Sequence, residues 1–599
     1  LYHESAATYI MTPLRALLSS CLILSACSGD FSTEDRPSPA PSISVVENLR
    51  MKDPAADGWN SEVLHDQSKN PMHLFLDALF QTTPLGEDPH LPSWQNIRVS
   101  PLLPTGITEI FTGEDTRVFR GAPLSGIFVN KKDTSQFVDQ FLEHLADAQV
   151  ERVDIKIVGV IPSEHGYTTD THVHVLGTRL KKPFQLTLRW IFGWDFPQQD
   201  QSPVLRSISA INYEEVLLNA PLFAERTGFV FARHPFFRTE FLRGAHEYHQ
   251  HQDRLDGFSF MGLQGAALGD INGDGLEDLY VAQGGGLPNR LFLHLPNGST
   301  QEVAQAWGVD FLENTHGVLL VDLDNDGDKD IALGMGHYVF VGYNLGNRFG
   351  DFAVLAGKDI SNVHGLSAAD ADLDGDLDLY AAHYSPSAAQ GTLSARPKPY
   401  HDAKNGGVNS YWRNDGYQKW VDATVEVGLD ADNSRFSFSS AWEDFDNDGD
   451  LDLFVANDYG RNNVYQNDQG HFEEIAEDIG MEGSAASMGM SFSDYDLDGD
   501  MDLYVSNMFS SAGQRITALG DQFMKGKGDD VVKHYRRHAR GNTLYENKGD
   551  GTFTDVTEES GTALGRWAWG AMFTDFDNDG LEDIYIPNGF ITNTDTHDL

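Results

Sequence analysis

The residues best suited to chemistry in this chain are aspartates, and they recur in a fixed pattern. Six segments obey D-x-[DN]-x-D-G-x-x-D-[LI]: DINGDGLEDLY from Asp270, DLDNDGDKDIA from Asp322, DADLDGDLDLY from Asp370, DFDNDGDLDLF from Asp444, DYDLDGDMDLY from Asp494 and DFDNDGLEDIY from Asp575. Side-chain oxygens stand at positions 1, 3, 5 and 9, and glycine always holds position 6. A tight loop with this spacing turns alternate side chains toward one point. Hard oxygens in that number suit Ca2+, which takes about 6–8 oxygen ligands at about 2.3–2.6 Å. The glycine permits a backbone shape that a Cβ opposes. The carbonyl of position 7 completes the shell, which leaves its side chain free to vary.

The candidate calcium ligands are therefore Asp270, Asn272, Asp274, Leu276 and Asp278 in the first loop, and Asp322, Asp324, Asp326, Asp328 and Asp330 in the second. Asp370, Asp372, Asp374, Asp376 and Asp378 form the third set, and Asp444, Asp446, Asp448, Asp450 and Asp452 the fourth. Asp494, Asp496, Asp498, Asp500 and Asp502 follow, then Asp575, Asp577, Asp579, Leu581 and Asp583. Leu276 and Leu581 enter through their carbonyls. A solvated acidic turn explains one such loop but not six in phase. An EF-hand wants a bidentate Glu at position 12, where this chain has Val281, Leu333, Ala381, Val455, Val505 and Ile586. It also wants flanking helices, and the residues after each loop (DLYVAQ, DIALGM, DLYAAH, DLFVAN, DLYVSN, DIYIPN) are short β-type runs.

The elements that must position these loops can be read around them. Loop starts are 52, 48, 74, 50 and 81 residues apart. Short strands such as HGVLLVD and WGAMFTD precede the loops, and NRLFLHLPNGS, NSYWRNDGYQKW, NNVYQNDQGHF and NTLYENKGDGTF supply two further strands around a turn. Each unit is strand 1, loop, strand 2, connection, strand 3, hairpin, strand 4. Four strands in about 50 residues describe a β-propeller blade.

These repeats resemble the FG-GAP/VCBS blades of integrin α-chains and bacterial envelope proteins. GLPNRLF, NTLYENKGDGTFTDVTEESG and RWAWGAMFTDFDNDG resemble the ASPIC/UnbV, cartilage-acidic-protein-like group more closely. The resemblance covers residues 256–599 and implies a calcium-binding propeller used for binding or adhesion. No ASPIC/UnbV segment follows, and the chain stops at Leu599 after strand 2 of the sixth unit. The expectation is five complete blades and half of a sixth, with truncation as the explanation. The alternative is that a strand pair from elsewhere closes the ring.

The 599 residues carry 42 Lys+Arg against 90 Asp+Glu, a formal net charge of −48. That balance argues against nucleic-acid binding, which needs basic patches. Six bound Ca2+ offset only part of the charge, and the remainder favours solubility. The apolar share is 40%, that of a globular chain long enough for about two to four domains. Its two cysteines, Cys21 and Cys27, both lie near the N-terminus, so metal takes the place of disulfides as the staple downstream.

From Met11, MTPLRALLSSCLILSAC reads as a signal peptide. Its Leu24-Ser25-Ala26-Cys27 ending resembles a bacterial lipobox, which implies lipidation at Cys27. Residues 1–10 then read as upstream translation, 1–27 as upstream residues plus signal, and 28–44 as a Ser/Pro-rich tether. The other reading is a plain secretory signal. Residues 45–255 form an α+β domain without an assigned function. In it Phe137, Val138, Phe141, Leu142 and Leu145 recur at helical spacing behind the cap Asp133, and VDIKIVGVI, THVHVLGTRL, FQLTLRWIF and VLRSISAINYEEV read as an antiparallel meander. This order resembles cone-shaped folds of the nuclear-transport-factor type.

No complete catalytic pattern is present. His246, His249 and His251 read as a polar linker face sooner than a metal cluster. KHYRRHARGN, residues 533–542, is either a solvated basic patch or an anion contact. Trp567 and Trp569 stand at strand spacing, where packing is the ordinary role and a sugar platform the other.

In a propeller blade the strand 1–2 and 3–4 turns share one rim. The residues that lengthen two of the intervals fall on the other rim, at about 383–408 and 507–541. They carry Arg396, Lys398, Lys525, Lys527, Arg536 and Arg537, which makes that rim the candidate ligand face. The combined reading is a calcium-stabilised lipoprotein of the bacterial envelope, at the outer membrane or cell surface. It would recognise a protein or extracellular polysaccharide and touch membrane only through its lipid. The alternatives are a polysaccharide-degrading enzyme on a propeller scaffold and a structural envelope scaffold.

Overall fold

A computed structural model describes residues 60–80, 97–122, 134–163, 165–195, 203–242, 264–357, 361–386, 397–481, 483–519, 523 and 528–587. Cys27, Asp133, the 246–251 histidines, Arg396, Lys525 and Lys527 lie outside them. Among the described residues no helix is long and apolar enough to cross a membrane. They fall within one compact unit, Trp59–Leu599.

The first half is a sheet under two helices. Strands β1 (Arg98–Val99), β2 (Ile107–Thr112), β3 (Thr116–Gly121), β4 (Ala148–Ser163), β5 (Gly166–Arg179), β6 (Lys182–Asp195) and β7 (Val204–Leu218) pair in the order β2-β3-β7-β6-β5-β4, with β1 parallel to β7. The expected antiparallel meander is β4–β7. Alternate residues of β6, from Phe184 to Trp194, are buried, as period-2 patterning requires. Helix α1 (Asn60–Phe80) lays Met72, Phe75, Leu76, Leu79 and Phe80 over them at helical spacing. Helix α2 (Thr134–His144) adds Val138 and Phe141, and Trp190 packs edge-on to Phe141 with centroids 5.6 Å apart.

The second half is a series of antiparallel sheets. β8 (Ala266–Gly269), β9 (Asp278–Val281), β10 (Arg290–His294) and β11 (Thr300–Glu302) make the first, in sequential order. Four-stranded sheets starting at Thr315–Val321, Ser361–Ala369, Phe436–Glu443 and Ser487–Ser493 repeat the pattern. First strands of successive sheets lie beside one another. Second strands of the second to fifth sheets are buried on both faces because each is sandwiched between neighbours. Leu453 and Val455 pack toward Tyr380 of the third sheet, while Phe454 packs toward Leu503 of the fifth.

The sheets make an open array and not a closed propeller, so the alternative in which a strand pair from elsewhere closes the ring is not seen among the described residues. The sixth has two strands, Met572–Thr574 and Asp583–Tyr585, and among the described residues no strand pairing joins it to the first. Phe223, from the segment after β7, packs against Phe576 and Tyr585 of this sixth unit. The long connection of the fifth sheet contains two helices, α3 (Ser511–Thr517) and α4 (Asp529–Arg540). From α3, buried Arg515 reaches the α+β half. It donates to Glu62 of α1 at 2.9 and 2.6 Å and to the Ile157 carbonyl of β4 at 2.6 Å.

Candidate metal centres

Each acidic loop is the turn between strands 1 and 2 of its sheet. Position 1 wraps the turn. The two oxygens of Asp444 accept from the backbone N–H groups of Asp448 and Gly449, both at 3.0 Å, and Asp494 and Asp575 repeat this. The position-6 glycines have φ of +83° to +100°, the left-handed region that favours glycine. Position 4 is left-handed as well, and Asn325, Asn447 and Asn578 hold it in three loops.

In five loops three aspartates bring one oxygen each within 4.8 Å of the others. The groups are Asp322, Asp324 and Asp330; Asp370, Asp372 and Asp374; Asp444, Asp446 and Asp452; Asp494, Asp496 and Asp502; and Asp575, Asp577 and Asp579. Position 7 lies apart in charge but joins the turn through its backbone, as in the Asp450 N–H donation to Asp448 at 3.0 Å. The first loop, with Asn272 at position 3, gathers no such triad of acids among the described residues.

Position 9 has a second task that spacing alone did not reveal. Asp452 accepts from the N–H of Phe445 at its own loop and from the N–H of Asn467 at the end of strand 3. Asp278, Asp330, Asp378 and Asp502 do the same. That aspartate is thus a clamp joining loop to sheet as well as a candidate ligand.

Two observations show how these sites fit a cation. Buried oxygens of Asp324, Asp370, Asp372 and Asp577 have no hydrogen-bond partner, and a buried carboxylate oxygen left unpaired is costly. Burial, joined by the neighbouring carboxylates, pushes Asp330, Asp452 and Asp502 up to about 7 and Asp378 up to about 6, even though backbone donors favour their ionised forms. Burial and neighbouring loop acids raise Asp324, Asp372 and Asp496 too. A divalent cation relieves both, since it supplies the missing partner and reverses the local charge. Hard oxygens only, with no His or Cys among the groups, match Ca2+ better than a transition metal.

The two insertions meet on the opposite side of the sheets from these loops. Tyr400, from the third sheet's connection, stacks on Tyr535 of α4 with centroids 5.8 Å apart, and His401 stacks on His534. The KHYRRHARGN run is therefore mostly helix α4. Its Arg537 is committed internally to Asp555, Thr543 and Tyr545, and Arg536 donates to the Thr517 carbonyl at 3.3 Å. Lys398 is exposed at the start of the described part of the third sheet's insertion. Trp569 packs toward Phe438, with ring centroids 5.9 Å apart.

Comparison with known proteins adds the following. The chain matches the FG-GAP-like repeat family over residues 270–333, 444–505 and 529–586. No curated protein matches it. Among solved structures it is similar to the Vibrio cholerae biofilm matrix protein Bap1, at 15% identity and a TM-score of 0.28, over 49% of this chain and 38% of that one. It is also similar to the Photorhabdus luminescens Tc holotoxin pore (TccC3-D651A mutant), at 12% identity and a TM-score of 0.20, over 67% of this chain and 16% of that one. The chain thus spans well under half the length of either. In three regions, which take in five of the six acidic loops, this protein is built of FG-GAP-like repeats.

Proposed function

We propose that this is a calcium-stabilised recognition protein of the bacterial surface, tethered through a lipidated Cys27, that binds a partner protein or an extracellular glycan. The observation that carries the reading is the division of labour across the sheets. Acidic loops with unpaired buried oxygens occupy the strand 1–2 turns, while both long insertions emerge from the strand 2–3 connections and pack on each other. A rigid scaffold stapled on one side and elaborated on the other is how repeat folds present a binding surface. The resemblance to the ASPIC/UnbV group belongs to the same reading.

The test is binding of the full chain to glycan and envelope-protein arrays in Ca2+ and in chelator, with product release followed in parallel. Saturable, calcium-dependent retention without turnover is expected. Turnover of a retained polysaccharide, or no retention on either array, overturns the reading. Release of the Cys27→Ser variant from the membrane fraction checks the tether.

A further inference from the structure

A cavity of about 300 Å3 lies between the α+β sheet and the insertion side of the array. One wall is the face of the sheet that the helices leave uncovered. On β5, Val173 and Val175 point into the helix-covered core, and the alternate residues His172 and His174 line the cavity. Lys156 of β4 and Gln185 of β6 flank them. The other wall comes from the connections after Asn507 and after Asp555, including Arg566 and Trp567.

The wall's charge sets it apart. The chain has 90 acidic residues, yet no carboxylate is among those lining this cavity, while an ammonium and a guanidinium are. Two acids stand beside the wall, each paired: Asp154 accepts from Arg152 at 2.8 Å and from Arg566 at 2.5 Å, so Arg566 meets the cavity as one half of an ion pair, and Asp170 accepts from Arg189 at 3.0 and 2.7 Å. Arg566 is held with φ +57°, a strained setting for a non-glycine residue that brings its side chain to this junction. Burial, then the charges of His172 and Arg566, lowers His174 to about 4, so at neutral pH its imidazole is a neutral hydrogen-bonding group. The indole of Trp567 and aliphatic neighbours complete an apolar side. The volume is at the lower end of the about 300–1,000 Å3 of small-molecule sites, enough for one ring.

We propose that this cavity binds a single acidic sugar unit, a pyranose carrying one carboxylate, through Lys156 and Arg566, with Trp567 against the ring and Gln185 and the imidazoles at its hydroxyls. The proposal rests on the recognition reading above for its ligand class and places that ligand at the junction of the two halves. The source is either a free uronate or the exposed unit of an acidic polysaccharide.

The experiment is calorimetric titration of the calcium-loaded full chain with galacturonate and, as the neutral control, galactose. A parallel arm measures retention on immobilised polygalacturonate. Galacturonate should bind at least about tenfold more tightly than galactose, and Lys156→Gln should weaken it about tenfold or more. Gln185→Glu, nearly the same size, places a carboxylate in the wall and should abolish binding while melting as the parent does. It serves if Lys156→Gln fails to fold. No binding of galacturonate, equal binding of galactose, or unchanged affinity in both variants overturns the cavity. Retention of the polymer by parent and variants alike overturns the cavity and leaves the recognition reading standing. Uptake of galacturonate that both variants lose, with no retention on any surface, supports the cavity and overturns that reading. Retention of polymer without uptake of the free sugar, lost in both variants, assigns the site to the polysaccharide source.

Discussion

The side-chain nitrogen of Asn467 donates a 2.9 Å hydrogen bond to the carbonyl of Ala371, 96 residues earlier. Ala371 is position 2 of the third acidic loop, and Asn467 ends strand 3 of the fourth sheet. Asn344 reaches Ile271, Asn414 reaches Leu323 and Asn547 reaches Phe445 in the same way, at 2.8 to 2.9 Å. Each asparagine also donates to its own loop and accepts from a turn glycine, as Asn467 does from Gly470. The second to fifth sheets are each thereby bolted to the loop before them.

Asn467→Ala should therefore destabilise more than its size suggests. It strands a buried carbonyl and a buried turn N–H, each loss costing about 1–3 kcal/mol. Chemical denaturation should show a loss of about 2–4 kcal/mol, against little change for Glu473→Ala, at an exposed position on the adjoining strand. Equal behaviour of the two variants would show that the bolt contributes nothing.

Calcium should reverse the sign of a charge deletion. Asp372→Asn keeps the shape and imitates Asn272 of the first loop. In chelator the variant should melt higher than the parent, because one of several crowded carboxylates is gone. In about 10 mM Ca2+ it should melt lower, since a site with Kd of about 10⁻⁴–10⁻³ M contributes about 1–3 kcal/mol there. A shift of the same sign in both buffers excludes a metal at this loop.

Asp458 should make stability depend on pH from outside the loops. Burial pushes its carboxyl up to about 7, although Tyr384 donates to it at 2.7 Å. Unfolded, it titrates near about 3.9. The folded state thus holds the proton more tightly, and the associated stability is present below about 4 and is lost as pH rises through about 7. Asp458→Asn should be more stable than the parent at pH 8 by on the order of a few kcal/mol. The gap should narrow toward pH 5. A gap independent of pH would assign the effect to packing.

Arg515 should couple the two halves. Its partners Glu62 and Ile157 both belong to the α+β half, and it is 4% exposed. Removing one member of a buried pair costs about 3–5 kcal/mol. Arg515→Ala should split a single calorimetric transition into two, with proteolysis between the halves. One unchanged transition would place the coupling elsewhere.

The strands, loops and hairpins were legible because their signals are local. Period-2 alternation marks β6, and the Asp-Gly spacing marks each turn. The asparagine bolts were not, although Asn414-Asp415-Gly416 and Asn547-Lys548-Gly549 were visible as hairpin signals. Their partners stand 91 and 102 residues away, beyond any pattern window. Arg537 reads as rim charge but is spent on Asp555, 18 residues on, because the hairpin turns that strand back onto the helix. Whether a ring closes was not legible, because a repeat count describes units, whereas closure depends on a pairing between the two ends that no single unit encodes.

The bolts also bear on how such a chain is assembled over generations. From Ile271 to Tyr495 the hydrogen bonds run through equivalent positions: loop carbonyl to asparagine, asparagine to clamping aspartate, aspartate to the next loop. Because every link is the same link, a gene duplication that adds one whole unit restores each donor and acceptor it interrupts. A break within a unit orphans several at once. Length in units is therefore free to drift, while the reading frame of the unit is held fixed.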